Sequence, residues 1–132
     1  MSKLNEKEIA LFKGKNFAFV ATINPDGTPQ VTPVWIDTDG RNILVNTQLG
    51  RVKPRNVARD KRVAVSVYDQ ENPYSRVSVN GRVVKEITGN KAGDHIDFLS
   101  VKYTGKKYKD RVSVGKRVMF VVAPERVTSH FE

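Results

Sequence analysis

The sequence contains no cysteine, which excludes disulfides, thiolate nucleophiles and metal sites with cysteine ligands. It also lacks any hydrophobic run close to the ~20 residues that a membrane-spanning helix needs. The N-terminal segment MSKLNEKEIA carries acidic residues where a signal peptide would have its apolar core. These absences predict a cytoplasmic protein with no membrane segment.

Common motifs for nucleotide binding, metal binding and nucleophilic catalysis are missing as well. The sequence has no GxGxxG fingerprint, no GxxxxGK[ST] loop and no GxSxG setting for a serine nucleophile. The two histidines, His95 and His130, are far apart, and the segment around His95 (DHID) is interpreted as the polar face of a helix. We therefore expect no metal site and no catalytic residue of these kinds.

The charge is strongly one-sided: 23 lysines and arginines face 14 acidic residues, which gives a net charge of +9. Such a balance attracts polyanions, so nucleic acid and phosphorylated small molecules are both candidate ligands. Aromatic residues make up only 8% of the chain, and none lies among the basic cluster as a base-stacking platform would. Nucleic acid is therefore the less favoured partner.

Apolar periodicity and turn residues predict one domain, residues 1–132, built mainly from β-strands. The tight turns Asn24–Gly27 and Asp37–Gly40 indicate two hairpins and hence an antiparallel meander. Gly81 interrupts a long strand and marks a bulge or bend. Strands are predicted over Phe17–Ile23, Gln30–Ile36, Asn42–Thr47, Val63–Tyr68, Tyr74–Glu86 and Arg117–Val122, with a short edge over Val127–Phe131.

Three short helices complete the prediction. A capping box formed by Asn5 and Glu8 begins the first, which runs through Phe12. The second lies in the basic segment described in the next paragraph. The third covers Asn90–Lys102 and ends at Gly105. Six strands with three short helices are typical of a small antiparallel barrel.

The basic segment Gly50–Asp60 (GRVKPRNVARD) is the most informative part of the sequence. Pro54 suits the first turn of a helix, which would place Arg51 and Lys53 beside its N-terminus. Free N–H groups and the helix dipole favour an anion there. Repulsion among basic residues at four-residue spacing would be relieved by a bound phosphate. The alternative is a solvated basic face without a ligand.

The order of these elements resembles a known superfamily. The segments FAFVATINPDGTPQVTPVWIDTDGRNILVNT, LGRVKPRNVARDKRVAVSV and VSVNGRV follow one another as in the pyridoxamine 5′-phosphate oxidase-related proteins, the FMN-binding split barrels. The closest similarity is to the short branch that uses FMN or the deazaflavin coenzyme F420. The resemblance implies a mainly β, six-stranded antiparallel split β-barrel.

The resemblance also implies a homodimer with cofactor sites at the subunit interface. The cofactor ring would lie along the strand that contains Thr32, Pro33 and Val34, and Trp35 is either a core residue or a ring contact. The remaining implied roles belong to the ribityl chain (Asn46 and Thr47), the phosphate (Arg51 and Lys53, with Asn56 nearby) and a contact from the other protomer (Arg76). Arg55 and Arg59 are interpreted as surface or dimer-contact charges.

The expected function is an oxidoreductase that transfers a hydride between bound FMN or F420 and a small planar substrate. Two alternatives stay open: a non-catalytic carrier or sensor of flavin or haem, and a basic barrel that binds nucleic acid. Pyridoxamine phosphate oxidases continue with a C-terminal segment that recognises their substrate, whereas this sequence ends at Glu132. A related activity is therefore favoured over vitamin B6 oxidation.

Overall fold

Seven strands form one curled antiparallel sheet in the order β2-β1-β5-β6-β7-β4-β3 in the computed structural model, which describes residues 2–132. The strands are β1 Ala18–Ile23, β2 Pro29–Val34, β3 Asp37–Thr38, β4 Ile43–Gln48, β5 Arg62–Tyr68, β6 Arg76–Ile87 and β7 Arg117–His130. The helices are α1 Glu6–Lys13, α2 Val52–Arg59, α3 Asn90–Thr104 and α4 Arg111–Val114. Within these residues, no helix has the length and apolarity needed to cross a membrane.

The core lies inside the curl of the sheet and consists largely of valines. Alternate residues of β5 and β6 face inward, as the period-2 pattern predicts, and are almost completely buried. Phe12 of α1 closes one side of this core and is fully buried. The inward-facing residues of the two strands are Val63, Val65, Val67, Val77, Val79 and Val83.

The prediction of six strands is corrected to seven. The additional strand is β3, whose two residues lie in the segment DTDG that the sequence predicts as a turn. Asp37 and Thr38 pair with Leu44 and Ile43 of β4. Residues 127–130 do not form a separate edge, because they continue β7 and stay paired with β6 as far as His130. The short helix α4 was not predicted.

The predicted meander holds for β1 and β2 but not for the next pair. β4 pairs with β7 and β3 and does not pair with β2, which lies at the opposite edge of the sheet. Pro29 and Pro33 of β2 pair with Ile23 and Phe19 of β1. A proline fits in a strand only where its nitrogen faces away from the ladder, so the free edge of β2 lacks two donors. The sheet consequently remains open between β2 and β4.

Helix α3 is tied to the connection that follows β2. The Tyr103 hydroxyl donates to the Asn16 carbonyl and accepts from the Ile36 N–H at 3.1 Å. Lys102 Nζ donates to the carbonyls of Phe12 (3.0 Å) and Ile36 (2.7 Å). These bonds fix α3 beside the opening of the sheet.

The bulge predicted at Gly81 is present. The register of β6 and β7 shifts between Asn80 and Gly81, where Gly81 lies opposite Pro124. A Cβ added to Gly81 would lie 2.6 Å from the Ala123 carbonyl oxygen and 2.8 Å from Val122 Cγ1. Because backbone is the nearer neighbour, the crowding cannot be relieved by a side-chain rotation alone.

We expect Gly81→Ala to lower the free energy of unfolding by about 1–3 kcal/mol, as overpacking does. Urea denaturation followed by circular dichroism measures the change. Gly115→Ala is the matched control, because a Cβ there meets nothing within 4 Å and the backbone is helical (φ −72°). The control should be neutral or more stable by up to about 1 kcal/mol. Equal effects of the two substitutions would contradict the role assigned to Gly81.

Candidate cofactor-binding groove

A groove of about 910 Å³ occupies the opening between β2 and β4. One wall is the β2 edge and the other is the end of β4, while the first turn of α2 and residues of α3 close the ends. Seven of the nine residues that the sequence singles out line this groove: Thr32, Pro33, Val34, Asn46, Thr47, Arg51 and Lys53. Asn56 and Arg76 do not line it.

The N-terminus of α2 forms the cationic end of the groove. Gly50, with φ +93°, turns the chain so that Arg51 becomes the N-cap residue, and no side chain in the described residues caps the helix there. The first turn contains no acidic residue. Pro54 occupies the third helical position and has no N–H group. The free N–H groups at the N-terminus of α2 therefore belong to Val52 and Lys53. Unsatisfied donors next to basic side chains make this end suited to an anion.

Lys53 is almost completely buried, with 7% of its surface exposed. Its Nζ donates to the Thr32 hydroxyl on β2 and so links α2 to the open edge. Burial lowers the pKa of Lys53, and repulsion by Arg51 lowers this pKa further. A bound anion would counter both effects by favouring the charged ammonium.

Asn56 connects α2 to the sheet instead of facing the groove. Its Nδ2 donates to Thr22 Oγ1 at 2.9 Å and to Asn24 Oδ1 at 3.1 Å. Its Oδ1 accepts from Arg59 Nη2 at 2.8 Å. The side chain thereby fixes the position of the helix whose N-terminus faces the groove.

Arg76 lies on the outer face of the sheet, at the start of β6. It pairs in register with Tyr68 of β5, and Tyr68 does line the groove. Arg76 is exposed and close to the groove rim without contributing to the wall.

Aromatic side chains form the other end of the groove. Trp35 stacks on Tyr103 with ring centroids 5.4 Å apart and an interplanar angle of 6°, and it meets the edge of Tyr108 at 6.2 Å. Phe17 packs against Tyr103, with ring centroids 5.5 Å apart. Trp35, Tyr108, Phe17 and Phe19 all line the groove. Trp35 therefore belongs to a satellite cluster beside α3 and also contributes a surface for a planar ligand.

Several groove residues were not found from the sequence. Arg55, which was interpreted as a surface or dimer-contact charge, is exposed and also lines the groove. Arg117, at the start of β7, also lines it and is 4% exposed. Arg117 is 64 positions beyond the basic segment's Lys53 in the numbering, and only the pairing of β7 with β4 brings it to the site. No local signal in the sequence marks this pairing.

His95 is not on a solvated helix face. Its side chain is 9% exposed and its Nε2 lies 3.0 Å from Asp37 Oδ2. Nδ1 of the same ring lies 3.0 Å from Nδ2 of Asn46 in the groove wall. The histidine therefore connects the site to the strand β3 that the sequence did not predict.

The groove thus combines a cationic end with an aromatic end. A ligand that fits this arrangement has a flat ring system and an anionic tail. Residues 2–132 contain no cluster of three or more histidine, cysteine or acidic side chains arranged to hold a metal ion.

Comparisons with known proteins identify a matching family model and several solved structures with a similar fold. A family model described as pyridoxamine 5′-phosphate oxidase matches residues 4–131. A solved structure named F420 reductase is 30% identical, covers 95% of this chain and 98% of its own, and superimposes with a TM-score of 0.84. A conserved hypothetical protein from Mycobacterium tuberculosis is 28% identical over 96% of this chain and 84% of its own, with a TM-score of 0.76. HupZ from Group A Streptococcus, at 16% identity over 96% and 93% of the two chains, shares the fold with a TM-score of 0.70.

The lowered pKa of Lys53 predicts a pH-dependent affinity for phosphorylated ligands. The ammonium holds an anion only while protonated, so the dissociation constant for a phosphorylated ligand such as FMN should rise with pH, starting below the ordinary lysine value of 10.5. The phosphate stays dianionic above pH 7 and does not contribute. Fluorescence titrations between pH 7 and 9.5 measure the trend. Lys53→Arg keeps its charge throughout and should show a flat profile; a parallel rise in both proteins would refute the assignment to Lys53.

Proposed function

The chain belongs to the pyridoxamine 5′-phosphate oxidase family, and from this premise we propose that it is an oxidoreductase that binds FMN or coenzyme F420 in the groove. It transfers a hydride between the cofactor ring and a small planar substrate. The observation that carries the proposal is the polarity of the groove, with an uncapped helix and two cations at one end and aromatic rings at the other. FMN and F420 both consist of a tricyclic ring joined to a phosphate by a ribityl chain.

The residues present fit such a cofactor. Arg51 and Lys53 would hold the phosphate by charge-assisted hydrogen bonds, supported by the free N–H groups of α2. The open edge of β2, with Thr32, Pro33 and Val34, would lie along the ring. Trp35 would exclude water from the far end. When bound, the cofactor supplies the hydride chemistry, so the protein's task is to bind it, orient it and shield it.

The similarity to an F420 reductase favours F420 over FMN, because that structure is 30% identical and covers nearly the whole chain. Both cofactors carry a phosphate at the end of the ribityl chain, which would face the same cations. The deazaflavin is therefore the first cofactor to test and FMN the second.

A homodimer is part of the proposal, and the outer face of the sheet supports it. Phe19 and Val31 are 41% and 56% exposed there, and small side chains surround them. Together they form a shallow hollow of about 260 Å³. The small neighbours, which would let a second sheet approach closely, are Ala21, Ala64, Ser66 and Ser78. Arg76 lies on this same face, where a partner subunit could receive it at its own groove rim.

Replacing both Arg51 and Lys53 by alanine should abolish binding of F420 and FMN while leaving the circular dichroism spectrum unchanged. The reason is the loss of two charge-assisted hydrogen bonds to the phosphate. Fluorescence titration measures both dissociation constants, and the tighter ligand identifies the cofactor. Arg41→Ala with Lys85→Ala removes the same charge from exposed positions outside the groove and should bind normally. Unaltered affinity in the Arg51/Lys53 variant would refute the proposal. A separate assay of the wild-type protein for turnover with planar acceptors distinguishes an enzyme from a carrier.

Placing an arginine at Ala64 should convert the dimer into a monomer, because a long charged side chain would stand at the centre of the outer face. Analytical ultracentrifugation measures the mass. Ala10→Arg adds the same side chain at an exposed position of α1 and should leave the dimer intact. If the wild-type protein is monomeric, or if Ala64→Arg remains dimeric, the outer face is not the interface.

A further inference from the structure

Arg117 is a buried cation without an ion-pair partner. It is 4% exposed, contributes to the groove wall and forms no ion pair with any residue between 2 and 132. Its Nε donates to Asn46 Oδ1 at 2.8 Å, and its guanidinium carbon lies 5.4 Å from the centre of the Tyr108 ring. Nη1 is buried and has no hydrogen-bond partner within the described chain. Burying a charge in this way is unfavourable unless something pairs with it.

The surroundings of Asn46 fix the orientation of this arginine. Because a guanidinium only donates, Asn46 must present its oxygen to Arg117. Both hydrogens of Nδ2 are then directed at the Ala92 carbonyl (3.0 Å) and at His95 Nδ1 (3.0 Å). His95 therefore accepts at Nδ1 and donates from Nε2 to Asp37 at 3.0 Å. A chain of directed hydrogen bonds thus runs from Asp37 through His95 and Asn46 to Arg117.

Arg117 is also adjacent to the cations of α2. In the β4–β7 ladder it pairs with Gln48, and the Gln48 side chain accepts from Arg51 Nη2 at 3.2 Å. Burial lowers the pKa of Arg117, and repulsion by Arg51 acts in the same direction, while Tyr108 and Asp110 offset part of this effect. Two arginines held on either side of one glutamine create a local excess of positive charge.

We propose that Arg117 is a third residue that binds the phosphorylated end of the cofactor, and that Asn46, His95 and Asp37 are the positioning residues that hold it there. The inference rests on the proposed function, because it assigns to the cofactor phosphate the countercharge that Arg117 lacks. It also changes the expectation for Asn46. This side chain directs both of its donors into the protein and acts through Arg117.

A purely structural role makes a different prediction. If Arg117 only packs against Tyr108, its removal should lower stability and weaken every ligand of the groove alike. If it binds the phosphate, its removal should weaken only ligands that carry a phosphate. Arg117→Met is a suitable variant, because replacing a buried charge by an apolar side chain of similar length is often neutral or stabilising.

The test compares each cofactor with its phosphate-free form, FMN with riboflavin and F420 with its deazariboflavin core. We expect Arg117→Met to raise the dissociation constant for the phosphorylated ligands about 10- to 100-fold, as the loss of a charged hydrogen bond does, and to change the others less than about twofold. Thermal melting without ligand should be unchanged or higher. Equal losses for both forms, or no loss for either, would overturn the inference.

Asn46→Asp is the second variant and keeps the Arg117 side chain. A carboxylate at position 46 would pair with the guanidinium but could not donate to the Ala92 carbonyl or to His95 Nδ1. Affinity for FMN should therefore fall by a larger factor than affinity for riboflavin. If Arg117→Met does not fold, Arg117→Lys replaces it, with a smaller loss expected because lysine keeps the charge without the planar fork. A wild-type protein that binds neither cofactor would contradict the proposed function itself, which is a result distinct from these.

Discussion

The groove exists because β2 cannot be extended by another strand. Pro29 and Pro33 remove two donors from its free edge, so the sheet, which is continuous from β2 around to β3, never closes between β2 and β4. The helices that flank the opening supply the residues at its two ends. Helix α2 brings its N-terminus to one end, and α3, tied to the Ile36 backbone by Lys102 and Tyr103, supports the aromatic residues at the other. The unpaired part of the sheet between β2 and β4 therefore forms the candidate binding groove.

Basic side chains line the groove, and no acidic side chain among residues 2–132 does. Arg51 and Lys53 stand at a helix mouth that has no acid in its first turn, and Arg117 lies across from them on β7. Asp37 is engaged by His95, and no acidic side chain forms an ion pair with the guanidinium in residues 2–132. Such an arrangement is unfavourable in an isolated protein and favourable with an anion in place, as expected of a site selected for a phosphorylated ligand.

Local patterns in the sequence were sufficient to predict most of the strands and helices and the cationic end of the groove. The alternating valines of β5 and β6, the capping box at Asn5 and the glycine at position 81 each act through near neighbours, and each was predictable. Arg51 and Lys53 were predictable for the same reason, because their setting is one helical turn. The strand order was not, since the DTDG segment satisfies turn chemistry and a two-residue strand equally well. Arg117 and His95 escaped detection because their partners are 71 and 58 residues away.

The buried guanidinium of Arg117 has a consequence for how the protein is handled. The guanidinium loses its hydration during folding, so the protein without a ligand is less stable than the same fold with a neutral residue there. A ligand that pairs with Arg117 would restore this stability. Thermodynamic linkage then requires the melting temperature to climb with ligand concentration above the dissociation constant. A preparation saturated with a ligand that pairs with Arg117 would therefore resist heat and proteolysis better than the same preparation without it.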